Sequence, residues 1–324
     1  MILKTHFPAT LLLLLVGGVP LAAQDYDPDL LGTYSIIARD ATTRELGIGV
    51  QSKAFAVGNR VVDAKGGVGI IVHQAVSNPM YGVLGLELLQ AGMTPQKTLS
   101  FLVQADNGGL RRQVAILDIE GRSAAWSGQD CTDWKGHHCT TEYCAQGNTL
   151  DGPQVLEAII ESMESSTGPL AERLLAALEA AQAAGGDWRG MQSAAILIVK
   201  PLAGAAGFSD RAVDIRVDDD RQPLTELRRL LDLVRSGEMI RQVNSKLIAG
   251  DLEGALELAL AARDRSREND NAWVALANVY VKMDRNQEAG EAFGRAIELN
   301  PANRVRLRRD SRYEALRQRL NMAD

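Results

Sequence analysis

Between residues 34 and 199 the apolar residues change their spacing again and again, and this switching limits the fold more than any other feature of the chain. Alternating or short apolar runs at 34–39, 46–51, 68–73, 113–119 and 194–199 have the period of two that suits strands. Helical periodicity fills the gaps. Residues 81–91 and 94–105 predict one helix pair, the second opened by Thr94 as N-cap with Pro95 at its first position. Residues 153–166 and 169–184 predict another, broken at Gly168 and stopped by Gly185 and Gly186. Paired strands followed by paired helices, twice over, point to stacked layers rather than a βαβ alternation. The expectation is an α+β chain with a two-sheet core covered by helix pairs. A Gly/Ala-rich stretch at 201–210 reads as a surface loop, followed by a last strand near 212–217 and a helix at 223–234.

From residue 236 the pattern is helical and repetitive. Ala255, Ala259 and Ala262 recur thirty-four residues later as Ala289, Phe293 and Ala296, a period that belongs to a helix–turn–helix repeat. Trp273, Leu276, Ala277, Tyr280, Ala289, Phe293, Ala296 and Pro301 stand in register with the tetratricopeptide pattern, which this stretch resembles. The preceding copy, 236–269, keeps only its second helix clearly, and 305–320 predicts a capping helix. Two copies are fewer than a free-standing array needs, so the tail is expected to lean on the first domain, on a protein partner or on a second copy of the chain. Arg304, Arg306, Arg308, Arg309 and Arg312 make the cap basic and read as a solvated face.

The N-terminus has the layout of an export signal. Lys4 and His6 precede an apolar run at 11–16, and Gly17, Gly18 and Pro20 break it before Ala22 and Ala23. The run is shorter than the roughly 20 residues of a spanning helix, so no membrane association is expected beyond this segment. The division expected is a signal peptide at 1–23, a short leader at 24–32, a layered domain at 33–235 and helical repeats at 236–324. Residues 1–238 carry 20 Lys and Arg against 28 Asp and Glu, and 239–324 carry 15 against 13, which leaves no electrostatic footprint for nucleic acid. Export makes a disulfide among Cys131, Cys139 and Cys144 the natural expectation, with one free thiol; sequence does not choose the partners. The spacing of these cysteines beside His137 and His138 matches no paired zinc pattern, and no metal is expected. Asp210, Asp214, Asp218, Asp219 and Asp220 read as a solvated turn at a strand end.

No GxSxG, HExxH, phosphate-loop or dinucleotide fingerprint occurs, so no cofactor is called for. Only four histidines are present, and His73 reads as packing at a strand end. A mechanism that needs no histidine uses a threonine made N-terminal. Its α-amine, with an ordinary pKa of about 7.7–8.0, accepts the proton of its own hydroxyl. Gly32 and Thr33 stand immediately before the first strand, where such a nucleophile belongs, and glycine offers an unhindered carbonyl for self-cleavage.

The stretches TYSIIARD (33–40), SKAFAVGNRV (52–61), GGVGIIVHQA (66–75), NPMYGVLGLELL (78–89), QGN (146–148), LAERLLAALEAAQAAGGDWRG (170–190), QSAA (192–195) and DRAVDIRVDD (210–219) resemble, in order and over about 33–232, the domain of unknown function 1028 family. That family is grouped with the N-terminal-nucleophile hydrolases. The resemblance implies a four-layer αββα sandwich with Thr33 at the leading threonine, and Lys53 beside it to hold charge. Gln146, Gly147 and Asn148 would furnish an oxyanion hole in the turn before the second helix pair. Asn78 and Tyr81 would line the pocket, with Arg189, Gln192 and Ser193 behind. Cys131 alone of the three cysteines fits the family pattern. Two readings of function follow: an amide-bond hydrolase acting on a small molecule or peptide, or a silent scaffold that presents the helical tail. For the first, cleavage near Ala23 leaves 24–32 ahead of Thr33, so a second cut is required.

Overall fold

The structure is a computed structural model that describes residues 32–204, 207–314 and 317. The expected signal peptide and all but the last residue of the leader lie outside the described residues. Strands β1 (Thr33–Asp40) and β2 (Glu45–Ser52) form the central hairpin of a six-stranded antiparallel sheet. β8 (Tyr143–Asn148) and β7 (Gly136–Cys139) extend it beyond β1, and β9 (Ser193–Val199) and β10 (Arg211–Val217) extend it beyond β2. A four-stranded antiparallel sheet runs β3 (Val62–Lys65), β4 (Gly69–Ala75), β5 (Arg112–Asp118) and β6 (Ser123–Ser127). The two sheets face each other through one set of alternate side chains, among them Ile37, Ile48, Val50, Ile70, Val72 and Leu117.

The other set faces helices. Tyr34, Ile36 and Ala145 of the larger sheet pack under α4 (Pro153–Ser165) and α5 (Leu170–Ala183). α5 lies close because β2 presents glycine to it: a Cβ on Gly47 would stand 2.7 Å from Leu174 Cδ1. Ile71, Val114 and Ile116 of the smaller sheet pack under α2 (Met80–Gln90) and α3 (Pro95–Gln104). Thr94 caps α3 by accepting from the Lys97 N–H, as its sequence predicts. A short helix, α1 (Val57–Arg60), sits beside the end of β2.

The mixed α+β class, the antiparallel sheets and the C-terminal helical region agree with the sequence reading. The detail departs from it in three places. β3, β6 and β7 carry no run of large alternating aliphatics and do not stand out in the sequence as strands, while β8 is the strand expected to lead into residues 146–148. Residues 146–148, expected as a turn, are the last three residues of β8. The helix expected at 223–234 continues as α6 (Pro223–Ala249), straight through the expected boundary at 235/236. No proline interrupts it, Gly237 is tolerated, and it stops only at Gly250, whose φ of 78° suits a C-terminal cap.

α6 therefore serves two cores. Leu224, Leu227 and Leu231 pack beneath the larger sheet, while Val243 packs with α7 (Leu252–Arg265), α8 (Asp270–Lys282) and α9 (Asn286–Leu299). Ala255, Ala259, Ala262, Ala289, Phe293 and Ala296 are all fully buried, so the thirty-four-residue repeat marks the helix contacts. Leu276 and Ala277 are buried, and the Trp273 indole N–H donates to Arg267 O at 2.9 Å. The Arg285 guanidinium lies 4.6 Å from the Tyr280 ring centre, and Pro301 is exposed in the turn after α9. Of the capping helix expected at 305–320, the described part is α10 (Asn303–Arg309), interrupted at Asp310 by a 3-10 turn at Ser311–Tyr313 that stacks Tyr313 edge-on against Phe293; residues 314 and 317 are again helical, and the rest of the expected helix lies outside the described residues. Ion pairs tie the tail to the layers, with Arg265 of α7 reaching Asp232 of α6 and Glu172 of α5, while Arg228 of α6 reaches Glu172 and Glu179 within the layers.

Candidate functional site

At one end the layer between the sheets turns from aliphatic to polar. Thr33, Ser35, Ser52, Gln74, Gln113, Gln146 and Asn148 occupy the same alternate positions as Ile37, Val50, Val72 and Leu117, and every one of the seven is buried. Thr33 pairs with Ser52 on one side and Asn148 on the other. Its Oγ1 lies 2.7 Å from Gly32 O and 3.1 Å from Ser52 Oγ, and Ser52 Oγ itself donates to Gly32 O. Gln74 fixes the main chain: its amide donates to Thr33 O at 2.9 Å and to Gln113 Oε1 at 2.8 Å, while Ser35 donates to Gln74 Oε1 at 2.7 Å. Gln113 carries the network on to Gly147 O and Ser127 Oγ, both at 2.8 Å. The buried amides of Gln74 and Gln113 satisfy one another, whereas Gln146 Oε1 is buried without a hydrogen bond.

Gly32 itself is enclosed. A Cβ at this position would stand 2.3 Å from Arg189 Nη2, 2.4 Å from Asp187 Oδ2 and 2.8 Å from Thr149 Cβ, so a larger residue displaces a buried ion pair. The Arg189 guanidinium donates two hydrogen bonds, of 2.6 and 2.9 Å, to the Asp187 carboxylate, which also accepts from Arg189 N, and the side-chain exposures are 0% for Asp187 and 9% for Arg189. The same carboxylate and, more strongly, burial push the neighbouring Tyr34 hydroxyl well above its ordinary pKa. A cleft of about 20 Å³, the room of one water, opens on Thr33 and is lined also by Ser52, Arg60 and Ser77. A larger cleft of about 410 Å³ adjoins it and shares Arg60 and Ser77.

The residues expected at the site divide into two groups. Thr33, Asn148 and Gln146 come together between the sheets; Gly147 lies between the last two in β8, with Leu150 against it. Gln146 reaches away from Thr33, its amide 3.4 Å from Val72 O. Arg189 stands behind Gly32, and Ser193 instead holds the loop after β2, bonding Val57 N and Ala54 O. Lys53 is exposed, with Nζ 3.4 Å from Met191 O, and does not line the cleft. The cation there is Arg60. Asn78 and Tyr81 do not line it either. Asn78 accepts from Met80 N and donates to Asp106, whose carboxyl is held well below the usual range, first by hydrogen bonding to Arg112.

Cys139 and Cys144 form a disulfide at paired positions of β7 and β8. Cys131 is free and buried, and burial pushes its thiol up to about 11. Among the described residues no group of three His, Cys, Asp or Glu side chains is placed to hold a metal ion, and no helix is long and apolar enough to cross a membrane. Sequence reasoning missed Ser52, Gln74 and Gln113. Ser52 and Gln74 lie inside the quoted stretches, and period-two alternation from Val50 and Val72 marks the face they share.

Comparison with curated proteins gives no match. The crystal structure of a DUF1028 protein from Silicibacter pomeroyi is similar, with a TM-score of 0.57 and 31% identity over 62% of this chain and 84% of that one. A family model described as "Family of unknown function (DUF1028)" matches residues 33–227, beginning at Thr33 itself. That match spans more than half of the sequence, and the chain belongs to the DUF1028 family.

Proposed function

We propose that the chain is an exported amide-bond hydrolase of the N-terminal-nucleophile type, an αββα sandwich with a tetratricopeptide-like tail, in which Thr33 is the nucleophile. The observation that carries this reading is the hydroxyl relay at the head of β1, from Thr33 Oγ1 to Ser52 Oγ and from Ser52 to the Gly32 carbonyl oxygen. A donor on that oxygen draws electron density from the carbonyl carbon and stabilises the oxyanion formed when Thr33 attacks it. In maturation Oγ1 bonds to the Gly32 carbonyl carbon, the C–N bond to Thr33 breaks, and the hydroxyl proton passes to the Thr33 nitrogen. Water then hydrolyses the ester, leaving a Gly32 carboxylate and a free Thr33 amine and hydroxyl. In turnover the amine accepts the Oγ1 proton as the hydroxyl attacks the substrate amide and returns it to the leaving amine as the C–N bond breaks; water then hydrolyses the acyl ester on Oγ1, releasing the carboxylic acid and restoring Thr33. Asn148, the cross-strand neighbour of Thr33, would serve as the oxyanion donor by turning its amide from Thr149 Oγ1, and Gln74 fixes the nucleophile's main chain.

Intact-mass and N-terminal analysis of the exported protein tests this directly. The expected chain begins at Thr33, and Thr33→Ala keeps its upstream residues and is inactive. Fully functional protein that still begins at Gln24 overturns it. That outcome selects the second reading, a silent scaffold presenting the helical tail to a protein partner or a second copy. One observation favours that rival: α6 belongs to both cores and so fixes the tail to the sheet.

A further inference from the structure

His73 is 2% exposed, yet both ring nitrogens are engaged: Nε2 lies 2.9 Å from Asp63 Oδ2 and Nδ1 lies 2.7 Å from Ser77 Oγ. A carboxylate only accepts, so the ring proton belongs on Nε2, and Nδ1 offers its lone pair to the Ser77 hydroxyl. This is the order of nucleophile, base and orienting acid, with the two ring nitrogens exchanged relative to the serine-protease arrangement. The fold brings the three together from β3, β4 and the connection to α2. Asp63 pairs with Ile71 in the β3–β4 ladder, two residues from His73. Ala75, with a φ of 60°, then turns the chain so that Ser77 folds back onto the ring.

The array opens on a cleft. Asp63, His73, Ser77 and Arg60 line the space of about 410 Å³, and Pro79 and Val83 give it an apolar edge. Val83 is 53% exposed, so that edge is open to a ligand. We propose that Ser77, His73 and Asp63 are a second nucleophilic centre, independent of Thr33, that accepts the acyl group of a small ester with an apolar acyl chain. Ser77 Oγ bonds to the acyl carbon and its proton moves to His73 Nδ1, where Asp63 steadies the imidazolium. The ester C–O bond breaks and the leaving alcohol takes that proton. Water repeats the sequence to release the carboxylic acid and restore Ser77. Arg60 faces the developing oxyanion.

A fluorophosphonate probe tests the centre on the full chain without knowledge of the natural substrate. Oγ–P bond formation expels fluoride, and the hydroxyl proton goes to His73. Peptide mass mapping is expected to find the phosphonyl group on Ser77. Ser77→Ala abolishes that adduct, and His73→Gln slows it at least tenfold. Asp63→Asn, at a partly exposed position, slows it several-fold and guards against misfolding of the buried histidine variant, which circular dichroism checks. Hydrolysis of p-nitrophenyl butyrate follows the same order. An unlabelled Ser77, a label on Thr33 alone, or labelling of Ser77 at an undiminished rate in both folded His73→Gln and Asp63→Asn overturns the proposal.

Discussion

The two ends of the layer between the sheets are built on the same strands and differ in what they bury. One end is Ile37, Ile48, Ile70 and Leu117; the other is Thr33, Ser52, Gln74, Gln113 and Asn148. The aliphatic end needs only shape and volume, whereas each group at the polar end must find a partner or forfeit its hydration. A fold gains little stability from such a network, and under the proposed function its place around the head of β1 is explained by the nucleophile it holds.

The largest effect should come from the polar end. Arg189→Ala leaves the Asp187 carboxylate buried without its guanidinium, and urea denaturation should record a loss of about 3–5 kcal/mol. Replacing the pair together, as Asp187→Asn with Arg189→Met, should cost much less. At the aliphatic end Ile70→Ala should cost about 2–5 kcal/mol while leaving the proposed cleavage at Gly32 unchanged. Gln113→Leu reverses that pattern. It strands Gln74 and the Gly147 carbonyl at about 1–3 kcal/mol and, by loosening the anchor on Thr33 O, should slow cleavage at Gly32 in a pulse-chase assay.

Outside both ends, Asp106 gives a smaller, acid-dependent effect. Arg112 holds its carboxyl below the usual range, so its stabilising contribution is complete above the unfolded value of about 3.9 and is lost as pH falls toward the depressed one. Asp106→Asn should therefore flatten the acid side of the stability profile. Arg295→Ala, which breaks an exposed pair with Glu298, should change stability by no more than about 0.5 kcal/mol.

What the sequence reveals follows the same division. Strands rich in Ile, Val and Leu announce themselves by alternation, and the helix pairs by their caps and glycines. β8, which reads YCAQGN, does not, because the layer it faces is polar where it ends. Lys53 shows the limit of reasoning from neighbouring residues. Ser52 points between the sheets, so the next residue points away from that face, and adjacency in sequence separates Lys53 from Thr33 in space. His73 resembled packing because its partners, Asp63 and Ser77, form no recognised motif, and only the β3–β4 pairing brings the carboxylate to it.

The shared helix α6 has a thermodynamic consequence. Its 27 residues span about 40 Å, and each half supplies wall to a different hydrophobic interior. Melting either interior exposes a stretch of the same rod, so the free energies of the two halves are coupled. Calorimetry of the whole protein should show a single endotherm, and proteolysis should find no nick between residues 232 and 243 that leaves both pieces folded.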